Sequence, residues 1–171
     1  MKKIFIKLIH DFYKKIKSLY FNYEYNSYRT KYEIHPSFRF NGENIIFYGS
    51  GKILIDENSY IGHNSTIQSA EACLVKIGRN CSISHNVKIY TSSNDPDQIF
   101  ESDVIKQKKG GNVLIGNGVW IGVNVFINPG ICIGDNVVIG ANSVVTKNIE
   151  DNCIVGGVPA RFIRKKCIKN Y

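Results

Sequence analysis

From Ile115 to Val145 every sixth residue is aliphatic. Ile115, Ile121, Ile127, Ile133, Ile139 and Val145 stand in register without a miss. Glycine follows four of them, at Gly116, Gly122, Gly134 and Gly140, and a second column (Val119, Val125, Ile131, Val137, Ser143) keeps the same beat four residues behind the first. A period of six matches neither the helical period of about 3.6 nor the strand period of two. It is the spacing of a β-helix, in which each hexad makes one short strand and one corner of a triangular coil. The aliphatic side chain points into the coil, and the glycine after it takes a corner where a Cβ would crowd the turn. Ordinary valine-rich strands have no reason to hold such a phase, so the expected fold class is all-β, a parallel β-helix.

The rhythm reaches back through Ile55, Ile61, Ile67, Ile77, Ile83 and Ile89, with Gly62 and Gly78 again following their isoleucines. The step from Ile67 to Ile77 is ten residues, which places a bulge near Ala70–Leu74. Residues 91–112, TSSNDPDQIFESDVIKQKKGGN, carry no hexads and are punctuated by Pro96 and Gly110–Gly111. An irregular excursion of that length between two regular blocks reads as a site loop. Residues 31–51 read as a transition into the coil, with Pro36 and Gly42 as turn markers. Past Val145, the residues Gly156, Gly157 and Pro159 turn the chain off the last coil into a basic tail, 151–171. The resulting division is an N-terminal helical segment, 1–30, and a β-helix domain, 31–171.

The helical segment is amphipathic and basic. Phe5, Leu8, Ile9, Phe12, Ile16 and Leu19 recur at helical spacing, and Lys2, Lys3, Lys7, Lys14, Lys15 and Lys17 supply the charge. Lys7 and Asp11 interrupt the apolar core that a signal peptide would need. Two readings stay open: a helix lying on an anionic membrane face, or a helix packed against the coils or a neighbouring subunit. The chain as a whole holds 22 Lys and Arg against 14 Asp and Glu, a net charge of +8. That excess favours anionic partners such as phosphorylated cofactors. No nucleic-acid-binding signature accompanies it, so no nucleic acid partner is expected. The five cysteines are odd in number and show no CxxC pair. The composition thus suits a reducing compartment, the cytoplasm, with the inner face of the membrane as the place the lipid-facing reading of the helix implies, rather than a disulfide framework or a zinc knuckle.

The stretch NVLIGNGVWIGVNVFINPGICIGDNVVIGANSVVTKNI, followed by VGGVPARFIRK, resembles the hexapeptide-repeat acyltransferases. The likeness is to the branch of galactoside, maltose and xenobiotic acetyltransferases and to the sugar O-acetyltransferases of capsule and lipopolysaccharide assembly. It runs from about Ile53 to Arg164 and includes Trp120, the NPG at Asn128–Gly130, Thr146–Lys147 and the GVPAR at Gly157–Arg161. The resemblance implies a left-handed parallel β-helix, a homotrimer, and acetyl-CoA bound between subunits as acyl donor for a sugar, nucleotide-sugar or glycan acceptor. It implies cofactor contacts at Trp120, Val123, Ala141, Thr146, Lys147, Arg161 and Arg164, and no metal. Coenzyme A is polyanionic, and Arg or Lys beside phosphate forms strong charge-assisted hydrogen bonds.

The chemistry implied needs a general base, because a hydroxyl must lose its proton as it attacks a thioester, and histidine serves best near neutral pH. In the family that histidine stands five residues past the last aliphatic residue of the first block. Counting from Ile89 gives Asn94, which cannot hold a proton in this range. The loop contains no histidine. His85 is the surrogate, sharing a corner column with His63 and Val123; Asp95 and Asp97 are nearby carboxylates, poor bases unless burial raises them. The readings that follow are an O-acetyltransferase of surface-polysaccharide synthesis, a catalytically impaired or non-catalytic coenzyme A-binding trimer, and an N-acetyltransferase on an amino sugar. A γ-type carbonic anhydrase shares the architecture but needs three histidines on zinc, and His63 and His85 lack a third.

Overall fold

A computed structural model describes residues 2–98 and 107–167. The chain divides into two compact units, residues 1–32 and residues 33–171. The first is a single helix, α1, Lys2–Lys31. The second is a parallel β-helix with three faces.

The first face stacks Glu33–Ile34, Lys52–Ile55, Leu74–Ile77, Val113–Ile115 and Cys132–Ile133. The second stacks Arg39–Asn41, Tyr60–Gly62, Ser82–Ile83, Trp120–Ile121, Val138–Ile139 and Cys153–Gly156, with Arg161–Lys165 added at its end. The third stacks Ile46–Tyr48, Thr66–Gln68, Lys88–Tyr90, Phe126–Ile127 and Val144–Val145. All these pairings are parallel except the last on the second face, where Arg161–Lys165 returns antiparallel along Cys153–Gly156. The aliphatic register is the pairing register: Ile77 opposes Ile115, Ile121 opposes Ile83 and Ile139, and Ile127 opposes Ile89 and Val145. Burying these columns supplies the apolar core, because every hexad isoleucine from Ile55 to Ile139 named in the rhythm is almost fully buried.

The second column is buried as well, and it carries polar members that tie coils together. Ser59 donates to the Gly78 carbonyl at 2.8 Å and accepts from the Cys81 N–H at 2.8 Å. Ser143 donates to the Gly140 carbonyl at 2.6 Å and accepts from the Gly157 N–H at 3.1 Å. A buried hydroxyl with both capacities used costs little and links successive turns.

Two readings of the chain are corrected. Residues 31–51 are already a turn of the coil, contributing one strand to each face. Its inner residues are aromatic: Phe38, Phe40 and Phe47 pack with centroids 5.1 to 6.4 Å apart. Large rings fill the end of the coil, and an extra residue between Phe40 and Phe47 breaks the beat of six, which hides this turn from a search for aliphatic periodicity. The tail also begins later than residue 151, since Cys153–Gly156 still pairs with Val138–Ile139 inside the coil. The chain leaves at Gly157, through a turn containing a cis Val158–Pro159 bond.

A further column governs the corners. Nine asparagines, including Asn64, Asn86, Asn124, Asn136 and Asn142, hold φ between 54° and 60°. Asparagine tolerates this left-handed conformation better than other residues with a Cβ. Their amides also bond from coil to coil: Asn86 Nδ2 donates to Asn124 Oδ1 and Asn124 Nδ2 to Asn142 Oδ1, both at 2.9 Å. Asn124→Ala is expected to destabilise the coil by roughly 1–2 kcal/mol, the cost of a left-handed residue without local compensation. Asn124→Gly should cost less, since glycine adopts the conformation freely and loses only the amide ladder. Denaturant unfolding of the two variants checks the order.

Candidate functional site

The irregular parts gather at one corner, the one that follows the third face. Here lie the bulge at Ala70–Cys73, the excursion from Thr91, Asn128–Gly130 and Thr146–Lys147. The excursion leaves the coil as an antiparallel arm, Ser92–Asn94 paired with Lys108–Gly110. Its tip, residues 99–106, lies outside the described residues. The base of the arm is built from buried Thr91, whose hydroxyl accepts from the Ala70 N–H at 2.8 Å, while its own N–H reaches Gln68 Oε1 at 3.0 Å. Gln68 Nε2 donates to Ser92 Oγ at 3.0 Å. Gly111 is required by space: a Cβ there would lie 2.7 Å from Gly130 Cα.

Farther out, the amide of Gln98 clasps both strands, donating to the carbonyls of Asp95 and Gln107 at 2.9 and 2.8 Å. Lys109 forms an ion pair with Asp95 at 2.8 Å and reaches Asp97 at 3.5 Å. The Lys109 bond, then the Asp97 N–H, hold the Asp95 carboxyl below its usual range, and the bond to Asp95 raises Lys109. Asp95 is therefore a charged strut and not a base. Its depressed pKa stabilises the arm above about pH 4, fading as pH falls through the lowered value; the raised Lys109 does so below about pH 10.4, fading as pH rises beyond it. Protease nicking of the arm should be flat across that window and should rise below it, and Lys109→Ala should raise it at neutral pH.

Against the base of the arm, Tyr90 and Phe126 stack with centroids 5.5 Å apart and planes 14° off parallel. With Ser92, Ser93, Asn128 and Pro129 they line a cavity of about 320 Å³. Neither ring was among the residues picked from sequence. The available signal was an aromatic at the outward position beside Ile127 and another directly before the irregular segment. Asn94 stands exposed on the arm, two residues from the cavity wall at Ser92, with its backbone paired to Lys108.

One coil further along, Lys147 and Arg161 line a second cavity of about 480 Å³ with Asn148, Ile149, Val155, Phe162 and Glu150, whose carboxylate is paired with Lys165 at 3.4 Å. Two cations over an apolar floor suit a ligand that joins phosphates to an aliphatic arm. Thr146 and Arg164 are exposed near this cavity but are not part of its lining. Val123 and Ala141 stack in a different column, at the corner after the second face, with the Asn142 N–H bonded to the Val123 carbonyl at 2.8 Å. Trp120 is exposed on that second face, between Ser82 and Val138. Of the seven residues expected at one cofactor site, Lys147 and Arg161 thus line one cavity, Thr146 and Arg164 stand outside its lining, Val123 and Ala141 stand at another corner, and Trp120 lies on the second face.

His85 also stands at the corner after the second face, away from Asn94 within one chain. Its Nδ1 accepts the His63 N–H at 3.0 Å, and His63 Nδ1 in turn accepts the Glu43 N–H at 2.9 Å, with the rings 5.2 Å apart. The bond occupies the Nδ1 lone pair and leaves the proton of the neutral ring on Nε2, so His85 has no free acceptor for a substrate proton. This histidine pair props the corner. Among the described residues no group of three His, Cys, Asp or Glu is placed to hold a metal ion.

Comparison with known proteins places this geometry. The bacterial transferase hexapeptide family (six repeats) matches residues 112–147. A maltose O-acetyltransferase of Clostridium difficile is similar in structure, with a TM-score of 0.60 and 38% identity over 75% of this chain and 70% of its own. AntD, an N-acyltransferase from Bacillus cereus solved with dTDP and 3-hydroxybutyryl-CoA, superposes with a TM-score of 0.63 at 26% identity, covering 80% of this chain and 78% of its own. In sequence, a polysialic acid O-acetyltransferase of Escherichia coli O1:K1 is 34% identical over 79% of this chain and 43% of its own length. The chain spans between 32% and 58% of the length of the curated relatives it matches.

Proposed function

Because this chain belongs to the hexapeptide-repeat acetyltransferase family, we propose that it transfers an acetyl group from acetyl-CoA to a hydroxyl of a sugar or glycan in surface-polysaccharide synthesis. The observation that carries the reading is the pair of cavities, a cationic one at Lys147 and Arg161 and an aromatic-walled one at Tyr90 and Phe126. The first suits a phosphorylated donor, with Lys147 and Arg161 binding phosphate and Ile149 and Val155 facing the arm. Acetyl-CoA would supply an activated acyl thioester. The second offers flat apolar faces and the hydroxyls of Ser92 and Ser93, the chemistry that binds a pyranose ring. Val123 and Ala141 sit on another corner, so one chain leaves the donor site without a wall; a second copy in a homotrimer would bring that corner against the first.

A second reading rests on Asn94. With Asp95 held as a charged strut and His85 bonded through Nδ1, neither of these described residues is placed to deprotonate a hydroxyl. A neutral amine needs no proton removed before it attacks, so positioning alone can serve. The N-acyltransferase of Bacillus cereus, similar over most of this chain, supports transfer to nitrogen, for which an amino sugar is the acceptor class we favour.

Release of free thiol from acetyl-CoA, followed against sugars, glycans and amino sugars, separates these readings. Turnover on hydroxyl acceptors supports the first and turnover confined to amino sugars the second; coenzyme A binding without turnover would leave a binding protein. Arg161→Ala is expected to weaken coenzyme A binding about tenfold, or ~1.4 kcal/mol, as measured by calorimetry. An unchanged affinity would move the phosphates elsewhere.

A further inference from the structure

The acyl-transfer reading leaves α1 without a role. Over its first six turns the helix presents Phe5, Leu8, Ile9, Phe12, Ile16 and Leu19 to solvent, each about half exposed or more. At 100° per residue these six fall within one arc of roughly 100°. Tyr13, Tyr20 and Ile6 extend the arc on one side, all more than half exposed. The opposite arc holds Lys3, Lys7, Lys14 and Lys17, and Asp11 is the only carboxylate before Glu24. No helix among the described residues is long and apolar enough to cross a membrane. Exposure then ends abruptly: Tyr25 and Tyr28 are buried.

We propose that α1 is an interfacial anchor that lies flat on an anionic lipid surface. Charge decides the occupant. Helix-helix pairing through the same arc would set Lys2 and Lys15, which flank it on either edge, against their counterparts at the seam with only Asp11 to offset them, which is repulsive. An anionic leaflet attracts the same lysines, while the apolar arc enters the boundary between headgroups and acyl chains. Tyrosines flanking the arc, at Tyr13 and Tyr20, suit the headgroup level, where a ring is buried and its hydroxyl stays wet. The Lys17 ammonium stands 6.0 Å from the Tyr13 and Phe21 ring centres, a cation–π distance that keeps this charge beside aromatic rings.

The test is co-flotation of the full chain with vesicles of phosphatidylcholine alone or with about 30 mol% phosphatidylglycerol. Binding is expected only to the anionic vesicles, weakened in about 0.5 M salt. Phe12→Glu with Leu19→Glu should reduce it about tenfold or more, because two charges then enter the apolar boundary. Far-UV circular dichroism melting confirms that the β-helix of the variant is intact. Absence of binding to either vesicle overturns the proposal, as does binding that the double variant leaves unchanged. Loss of oligomer mass in the double variant, with no vesicle binding by the parent chain, would assign the arc to a second copy and also overturn it.

Discussion

Asn94→His is expected to raise acetyl transfer to a hydroxyl acceptor by about 10²–10⁴-fold, the usual contribution of a positioned general base. Asn94 is exposed on the arm and its backbone bonds to Lys108 are indifferent to the side chain, so the substitution leaves the fold alone. An imidazole there would stand beside the cavity of Tyr90, Ser92 and Phe126, with an unperturbed pKa near 6.5. The rate of the variant should therefore rise with pH through about 6.5 as the ring loses its proton. The parent chain should show no such limb, because Asp95 stays ionised far below that range. A parent chain already active on hydroxyls, with no gain in the variant, would place the base on a residue other than position 94. High activity on an amino sugar with no gain would instead establish that the natural acceptor needs no base.

Gly122→Ala is expected to destabilise the β-helix by roughly 2–4 kcal/mol, whereas Gly140→Ala in the same column should cost under about 1 kcal/mol. Both glycines follow an aliphatic residue of the second face, and in sequence they are equivalent. A Cβ on Gly122 would lie 2.6 Å from the Ala141 nitrogen and 2.9 Å from the Ile139 carbonyl oxygen, both backbone atoms of the next coil. Neither can yield without spreading two turns. The nearest atom to a Cβ on Gly140 is the Val155 carbonyl oxygen at 3.4 Å, an ordinary contact. Thermal melts of the two variants measure the difference, and equal melting temperatures would show that coil spacing adapts to the extra carbon.

Much of this molecule was legible before its structure. The aliphatic column from Ile115 to Val145 is directly the pairing register, since a coil with one strand per face must return to the same side chain every few strands. The repeat is a ruler, and counting along it leads to Asn94, which the structure places on the arm opposite Lys108. The asparagine column three residues behind the isoleucines is an equally regular signal, since left-handed corners favour such residues. The aromatic end of the coil was hidden because Phe38 and Phe47 fill the same space as isoleucine without keeping its beat.

What the sequence by itself determined is therefore periodic: the β-helix, its faces, its core and the place where the pattern fails. Each is set by local spacing, which the chain carries in one dimension. What only the tertiary structure decided is convergence. Tyr90 and Phe126 are 36 positions apart yet stack in one cavity, and Lys147 meets Arg161 across a turn. Val123, which sequence order places close to Phe126, belongs to another corner. The reason is geometric: a coil of six-residue steps sends neighbours in sequence to different faces and stacks residues a full turn or more apart, so proximity in the chain and proximity in space are decoupled at each corner.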